Sequence, residues 1–391
     1  MMYDVIVIGL GPAGATAAYT LSKAGLQVLA LEKQGLPRYK PCGGGITPKI
    51  KKILSFPDWE PLIENTIYDL ILSFKGKDTQ RFHAKQPLAY LISRDKFDFY
   101  LVEKALHAGT QIHASEPVIG ISMKSDSIEI KTEKQTYLTK YLIGADGAPS
   151  FTAHTASTTQ KPKPIYWTGL TSEVNATLKK ELEAPIDHAI YIYFGNIPSG
   201  YGWIFPKQNR YAIGIAGYQH KLKQPQRVFT RFLESQSMLE HIQLNKPAAH
   251  LIPVYQSNSP KLLDNRILLV GDAAGLVDPY LGEGIYYAIR SGQIAGQTIQ
   301  DAITNNSPDL SAYTETIRTE FDEQFRIAQL ICDAVYRVPA FSYHFFKSNP
   351  GFFDTYCRVL SGETGYTDLY TTAKLKVNAM FNFMQSQKFG F

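Results

Sequence analysis

Tyr3-Asp-Val-Ile-Val-Ile8-Gly9-Leu-Gly11-Pro-Ala-Gly14 runs from a short apolar strand into a turn with three glycines, and Ala15, Ala17, Ala18 and Leu21 then recur at helical spacing. Gln27-Val-Leu-Ala-Leu31 reads as a second strand, closed by Glu32, 18 positions after the last glycine. Together these make a complete βαβ unit of the kind that cradles a dinucleotide. Gly9 permits the tight turn, Gly11 lets the backbone approach a pyrophosphate, and Gly14 lets the helix lie close on the strand. Glu32 is placed to hydrogen-bond an adenosine ribose. A lone glycine triplet is a weak signal; one framed by two strands and a terminal acid is strong.

A second stretch completes the frame. Arg266-Ile-Leu-Leu-Val-Gly-Asp272-Ala-Ala-Gly-Leu-Val-Asp278-Pro279-Tyr280-Leu281-Gly282-Glu283-Gly284-Ile285 reads as a buried strand, a carboxylate at its end, a glycine-rich turn and a helix opening near Gly284. Asp272 can accept a hydrogen bond from a ribityl hydroxyl. The bare N–H groups at the helix start can stabilise negative charge on a reduced flavin near its N1 and C2 carbonyl.

Between these stretches lie further candidates. Pro37-Arg38-Tyr39-Lys40-Pro41-Cys42-Gly43-Gly44-Gly45-Ile46 is an irregular loop whose backbone can come close to a ring system. Cys42 either touches that ring or fills a small space. Arg94 sits where the 91–93 strand meets a helix over 97–108, placed either to meet the phosphate side of the cofactor or to decorate an exposed first turn. The strand ending at Asp146-Gly147 gives a second Asp-Gly turn. From 151 to 260 the texture changes to strands around 166–173, 189–194, 202–205 and 211–216, with a helix near 226–239. Here Tyr201, Trp203 and Phe205 alternate on one strand face, either a packed core face or a channel wall. The tail, 310–391, reads as helical, with Tyr313, Ile317, Phe321, Phe325, Ala328 and Ile331 at helical spacing.

The 391 residues exceed one ordinary core, and 44% hydrophobic with 19% charged residues is a globular profile. The formal charge of +5 is mild. Its densest basic run, 33–52, overlaps the cofactor region, so phosphate contact explains it better than nucleic acid. Cys42, Cys332 and Cys357 form no paired framework, which favours a reducing compartment and no metal site. The first strand opens at Tyr3 and leaves no room for a secretory leader, and no apolar run of about 18 residues is present, so a cytoplasmic chain that does not span a membrane is expected. Contact with a membrane surface and the oligomeric state stay open.

Taken together, the motifs resemble the geranylgeranyl reductase family of FAD-dependent proteins, a branch of the p-hydroxybenzoate-hydroxylase-like flavoproteins. The resemblance runs from Tyr3 to about Arg290. It is carried by Gly9-x-Gly11-x-x-Gly14 with Glu32, by Pro41-Cys42-Gly43-Gly44-Gly45, by Arg94-Asp95-Lys96-Phe97-Asp98, and by Gly271-Asp272-Ala-Ala-Gly with Pro279-x-x-Gly282-Glu283-Gly284-Ile285. The cysteine-glycine loop and Tyr201-x-Trp203-x-Phe205-Pro206 look like this family in particular, which favours the channel reading of the aromatic strand.

The resemblance implies an α/β fold. A Rossmann-type, glutathione-reductase-like FAD-binding domain (1–150, with an excursion into the substrate domain near 53–90, returning over 261–305) would carry an inserted, mostly antiparallel substrate domain (151–260). A helical C-terminal region (306–391) would follow, to which the resemblance assigns no role. It implies FAD contacts at Gly14, Glu32, Cys42, Gly43, Gly45, Arg94, Asp272, Gly284 and Ile285, with a backbone contact at Val118 where a strand starts beside the adenine. Tyr201 and Trp203, with Phe205 on the same face, would line the substrate pocket. The implied reaction is saturation of prenyl double bonds on a lipid, quinone or chlorophyll precursor, fed by NAD(P)H or a reduced electron carrier. The shared FAD frame also admits a monooxygenase of a small or aromatic substrate and, outside catalysis, an FAD- or lipid-binding protein.

Overall fold

In the computed structural model, which describes residues 2–54, 56–156, 165–175, 188–236, 245–256, 263–264 and 266–388, the first sheet grows from strands buried on both faces. Val5, Ile6 and Val7 are all fully buried, as parallel strands covered on two sides require. Met2–Ile8 pairs in parallel with Val28–Leu31 on one side and Thr136–Gly144 on the other, and Ile267–Leu269 extends the sheet in parallel beyond Thr136–Gly144. Gln111–His113 forms the far edge, and the antiparallel strands Val118–Met123 and Ile128–Thr132 attach to Thr136–Gly144. The carboxyl ends of four parallel strands therefore converge at Gly9, Glu32, Ala145 and Val270, where open α/β sheets place ligands.

One face of this sheet is covered by the helices Pro12–Lys23 and Ile285–Thr304, which lie almost backbone to backbone. A Cβ at Gly292 would stand 2.3 Å from the Ala13 carbonyl oxygen, and one at Gly296 would stand 2.8 Å from Thr20 Cβ. The contact uses two glycines one helical turn apart.

The second sheet has seven strands in the order Ala248–Pro253, Tyr166–Asn175, Arg210–Tyr218, Gly200–Pro206, Ala189–Phe194, Asp69–Phe74 and Asp78–His83. All neighbours are antiparallel except Ala189–Phe194 with Asp69–Phe74. The last two strands come from the 53–90 region, so the sheet is stitched from two distant parts of the chain. The helix Pro225–Glu234 packs on the face that carries Ile204, with Phe229 and Phe232; it ends earlier than the 226–239 expected, and 237–239 lie outside the described residues. A small third sheet joins Gly45–Ile46, Ala89–Ile92 and Ile63–Ile67.

The tail is helical through residue 388. Tyr313, Ile317, Phe321 and Phe325 are all buried although they recur every four residues, slower than the 3.6-residue helical turn. A π-helical turn at Arg318–Asp322 takes up the drift and keeps the four side chains on one face.

Candidate functional site

A cavity of about 700 Å³ runs from the glycine cradle, past the strand ends of the first sheet, into a chamber on the aromatic face of the second sheet. At the cradle, Gly9 has φ +95°, and a Cβ there would stand 2.4 Å from the Ala145 carbonyl oxygen. Gly11 faces open space, with only the Arg38 guanidinium 3.5 Å from where a Cβ would be. Gly9, Gly11 and Glu32 line the cavity, while Gly14 does not: it is buried inward, where a Cβ would come within 1.9 Å of the Gly9 oxygen. Gly14 therefore packs the helix start against the first turn. Glu32 Oε2 accepts from Leu10 N at 2.9 Å and Oε1 from Gln34 N at 3.0 Å, and Arg38 Nε lies 3.6 Å from Oε2. Each oxygen keeps a further acceptor position for a ribose. The backbone N–H of Glu116 donates to the Glu32 backbone carbonyl and so carries the neighbouring Val118 to this end of the cavity.

Arg94 is 8% exposed, which removes the alternative of an exposed first-turn residue. Its guanidinium makes a two-pronged pair with Asp98, 2.7 and 2.9 Å, and this carboxylate holds it firmly charged against the opposing effect of burial. It lines the cavity beside Cys42, whose Sγ accepts from Gly44 N at 3.3 Å. The glycine loop is pressed onto its neighbours: a Cβ at Gly43 would stand 2.9 Å from the Phe205 ring, and one at Gly44 would stand 2.2 Å from the Ile92 oxygen. Gly45 packs on Phe205 as well.

In the middle of the cavity, Asp272 follows the Ile267–Leu269 strand, and Gly284 caps the helix opening at Ile285. A Cβ at Gly284 would stand 3.3 Å from Asp272 Oδ1, so the carboxylate and the helix N-terminus face each other closely. Burial alone would raise the Asp272 pKa; Lys40, 3.7 Å from Oδ2, and His250 hold it well below the usual carboxylate range.

The chamber beyond is aromatic and aliphatic. Tyr201, Trp203 and Phe205 share one face, with ring centroids 5.8 and 6.2 Å apart, joined there by Ile190, Ile192 and Leu72. The family resemblance gives the tail no role, and its aromatics read either as packing over the core or as a lip at a membrane or lipid-accepting tunnel; Tyr336, Phe346, Tyr356 and Leu360 line the same chamber. Their helical spacing is also that of plain core, so nothing local distinguished them. His250 and Lys40 were likewise missed, because their partner Asp272 is distant in sequence.

The basic run is only partly turned to the cavity. Arg38 and Lys40 line it, but Lys49 pairs with Glu283 at 2.8 Å, Lys51 pairs with Glu60 at 2.7 Å, and Lys52 donates to the Gly362 carbonyl. Protein acids and a carbonyl, not phosphate, therefore account for half of what the charge pattern suggested.

The open space before Gly11, the terminal carboxylate of Glu32 and the Asp272–helix pairing form a cradle that fits FAD. A family described as FAD binding domain matches residues 2–325. The chain is 32% identical to digeranylgeranylglycerophospholipid reductase 1 of Methanococcoides burtonii, over 83% of this chain and 79% of that one. Its fold is similar to a geranylgeranyl bacteriochlorophyll reductase-like protein of Thermoplasma acidophilum (TM-score 0.75, 23% identity, 95% of each chain). It is equally similar to the flavin-dependent brominase Bmp2 (TM-score 0.75, 17% identity, 99% of this chain and 100% of that one).

Proposed function

We propose, from the premise that this chain belongs to the FAD-binding-domain family and to its geranylgeranyl reductase branch, that it saturates double bonds of a geranylgeranyl chain carried on a lipid. It is an FAD-dependent oxidoreductase acting on carbon–carbon double bonds. The observation that carries the prenyl reading is the chamber: a wall of Tyr201, Trp203 and Phe205, continuous with the dinucleotide cradle, suits a long apolar substrate.

FAD would be held by the Gly9–Gly11 turn, Glu32, the glycine loop at 43–45 and the Asp272–Gly284 pairing, and when reduced it supplies a hydride. An isolated trisubstituted alkene is a poor hydride acceptor, so the other carbon must take a proton and the tertiary carbon must carry positive charge. The aromatic faces of Tyr201 and Trp203 orient the chain and stabilise that charge, by about 0.5–2 kcal/mol for each ring in a dry site. Tyr201 donates its hydroxyl proton to the Leu281 carbonyl at 3.1 Å, and burial raises its pKa, so we assign it to the wall and not to the proton donor. The electron donor is NAD(P)H binding transiently or a reduced carrier, since FAD takes the Gly9–Glu32 cradle. Among the described residues no helix is long and apolar enough to cross a membrane. Exposed Leu330 and Phe341 lie on the helices that also carry the cavity-lining Tyr336 and Phe346, and exposed Val338 lies at the break between them, an arrangement that supports delivery of substrate from a lipid surface.

Product mass tests this reading. The FAD-loaded, chemically reduced enzyme, incubated anaerobically with a geranylgeranyl phospholipid, is expected to return a lipid heavier by one or more hydrogen pairs while the flavin reoxidises. Turnover of another compound only with oxygen, and an unchanged prenyl lipid, would move the protein to the monooxygenases. Trp203→Ala is expected to keep its FAD and lose about tenfold in kcat, the 1.4 kcal/mol of one good cation–π contact. Unchanged turnover of the prenyl substrate by that variant would return the aromatic strand to plain core.

A further inference from the structure

His250 stands on the edge strand of the second sheet, Ala248–Pro253, paired with Gly169. Its Nε2 is sealed from solvent and has no hydrogen-bond partner, a costly arrangement for a buried polar atom. Asp272, in the turn that follows the Ile267–Leu269 strand of the first sheet, lies with Oδ2 at 3.8 Å, just beyond a hydrogen bond. Lys40 approaches that same Oδ2 at 3.7 Å. The other oxygen, Oδ1, faces the Gly284 position at the helix start. Lys40 and His250 therefore flank one oxygen while the second faces the helix start that lines the cavity.

We propose that His250 is a positioning residue for Asp272. It holds Oδ2 on the protein side, so that Oδ1 stays ionised, fixed in rotamer and free to accept a hydroxyl hydrogen bond from the cofactor. The contact rests on the FAD reading of the site. The same strand is anchored close by: Val254 bridges Val277, and Tyr255 N donates to the Val277 oxygen at 3.0 Å. His250 is therefore carried to Asp272 by backbone and not by a mobile loop, and the substrate sheet takes part in setting the geometry of the cofactor acid.

A double-mutant cycle on FAD binding tests this, read by quenching of flavin fluorescence as FAD is titrated with the full-length protein freed of its flavin. H250L is expected to weaken FAD binding about tenfold, and H250Q, whose amide nitrogen takes the place of Nε2 and can donate to Oδ2, to recover most of it. In a D272N background, H250L is expected to cost less than twofold, because there is no longer a carboxylate to position. Equal losses from H250L in both backgrounds would overturn the proposal, since packing alone predicts additivity; so would H250L binding FAD as wild type does. Failure of the wild-type chain to bind FAD would instead sink the cofactor reading beneath it, and the proposal with it. Should H250L fail to fold, H250N, whose shorter amide cannot reach Oδ2, completes the same cycle against D272N, with additivity again the overturning result.

Discussion

Lys49→Met lowers the free energy of unfolding by about 3–5 kcal/mol at neutral pH, the expected cost of removing one partner from a buried ion pair. Lys49 is 9% exposed, pairs with Glu283 at 2.8 Å, and sits between the Tyr286 and Tyr287 rings at 4.6 and 4.5 Å. Glu283 is also bound by Thr47, and Asp278, fully buried, caps Tyr280 N and Leu281 N and accepts from Tyr366 at 2.6 Å. One cation thus compensates two buried acids. The pH dependence follows from Asp278, whose carboxyl is already raised above its ordinary 3.8 by burial, with Lys49 opposing. Without Lys49 it moves higher still. Between the ordinary and the raised value the folded protein then binds more protons than the unfolded chain, so stability falls as pH rises through that window. The deficit of the variant is full at neutral pH and shrinks as the acid protonates. Urea denaturation followed by tryptophan fluorescence at pH 7 and near pH 4 checks both points. A loss below about 1 kcal/mol, or one that grows on acidification, would show that the acids are compensated by something other than Lys49.

Gly14→Ala and Gly11→Ala, three residues apart, are expected to fail in different ways. At Gly14 an added methyl meets backbone, 1.9 Å from the Gly9 oxygen and 2.9 Å from Ala145 Cβ, so the helix must lift off the sheet. Overpacking against an immovable backbone costs about 3 kcal/mol or more, and the product is expected to be unstable and free of flavin. Gly11 has φ −73°, a conformation any residue adopts, and only the tip of Arg38 within 4 Å. Gly11→Ala should therefore fold with a thermal midpoint close to wild type while FAD binding weakens about tenfold, the 1.4 kcal/mol of a displaced pyrophosphate. Thermal melts and the flavin-to-protein ratio of each purified variant separate the cases. A stable, flavin-loaded Gly14→Ala protein contradicts the packing role.

The fold was legible where its signals are local. The βαβ unit at Tyr3–Glu32, the strand before Gly271 and the helix after Gly284 each fit within about 30 residues, and periodicity and glycine placement mark them directly. Contacts made over long separations were not legible. Lys49 lies 234 positions from Glu283, and His250, on an edge strand of the second sheet, lies 22 from Asp272 in the turn after a strand of the first, so no periodicity in the sequence shows either pair. The aromatic alternation at Tyr201, Trp203 and Phe205 located a face correctly, but the tail residues that close the chamber opposite it carry only the pattern of ordinary packed helix.

The ordering of strands in the first sheet also sets a schedule for synthesis. The cradle is encoded in the first 32 residues, but its central strand pairs with residues 138–144, which pair in turn with 267–269, and its helix is covered by Ile285–Thr304. A ribosome must therefore release more than three quarters of the chain before the earliest segment can bury its apolar faces. The two flanking sheets close in the meantime across long separations, which makes folding slow and leaves the nascent amino-terminal half exposed to misassociation. Truncations that keep the whole glycine motif but stop before residue 304 should therefore yield aggregated protein and no free-standing nucleotide-binding unit.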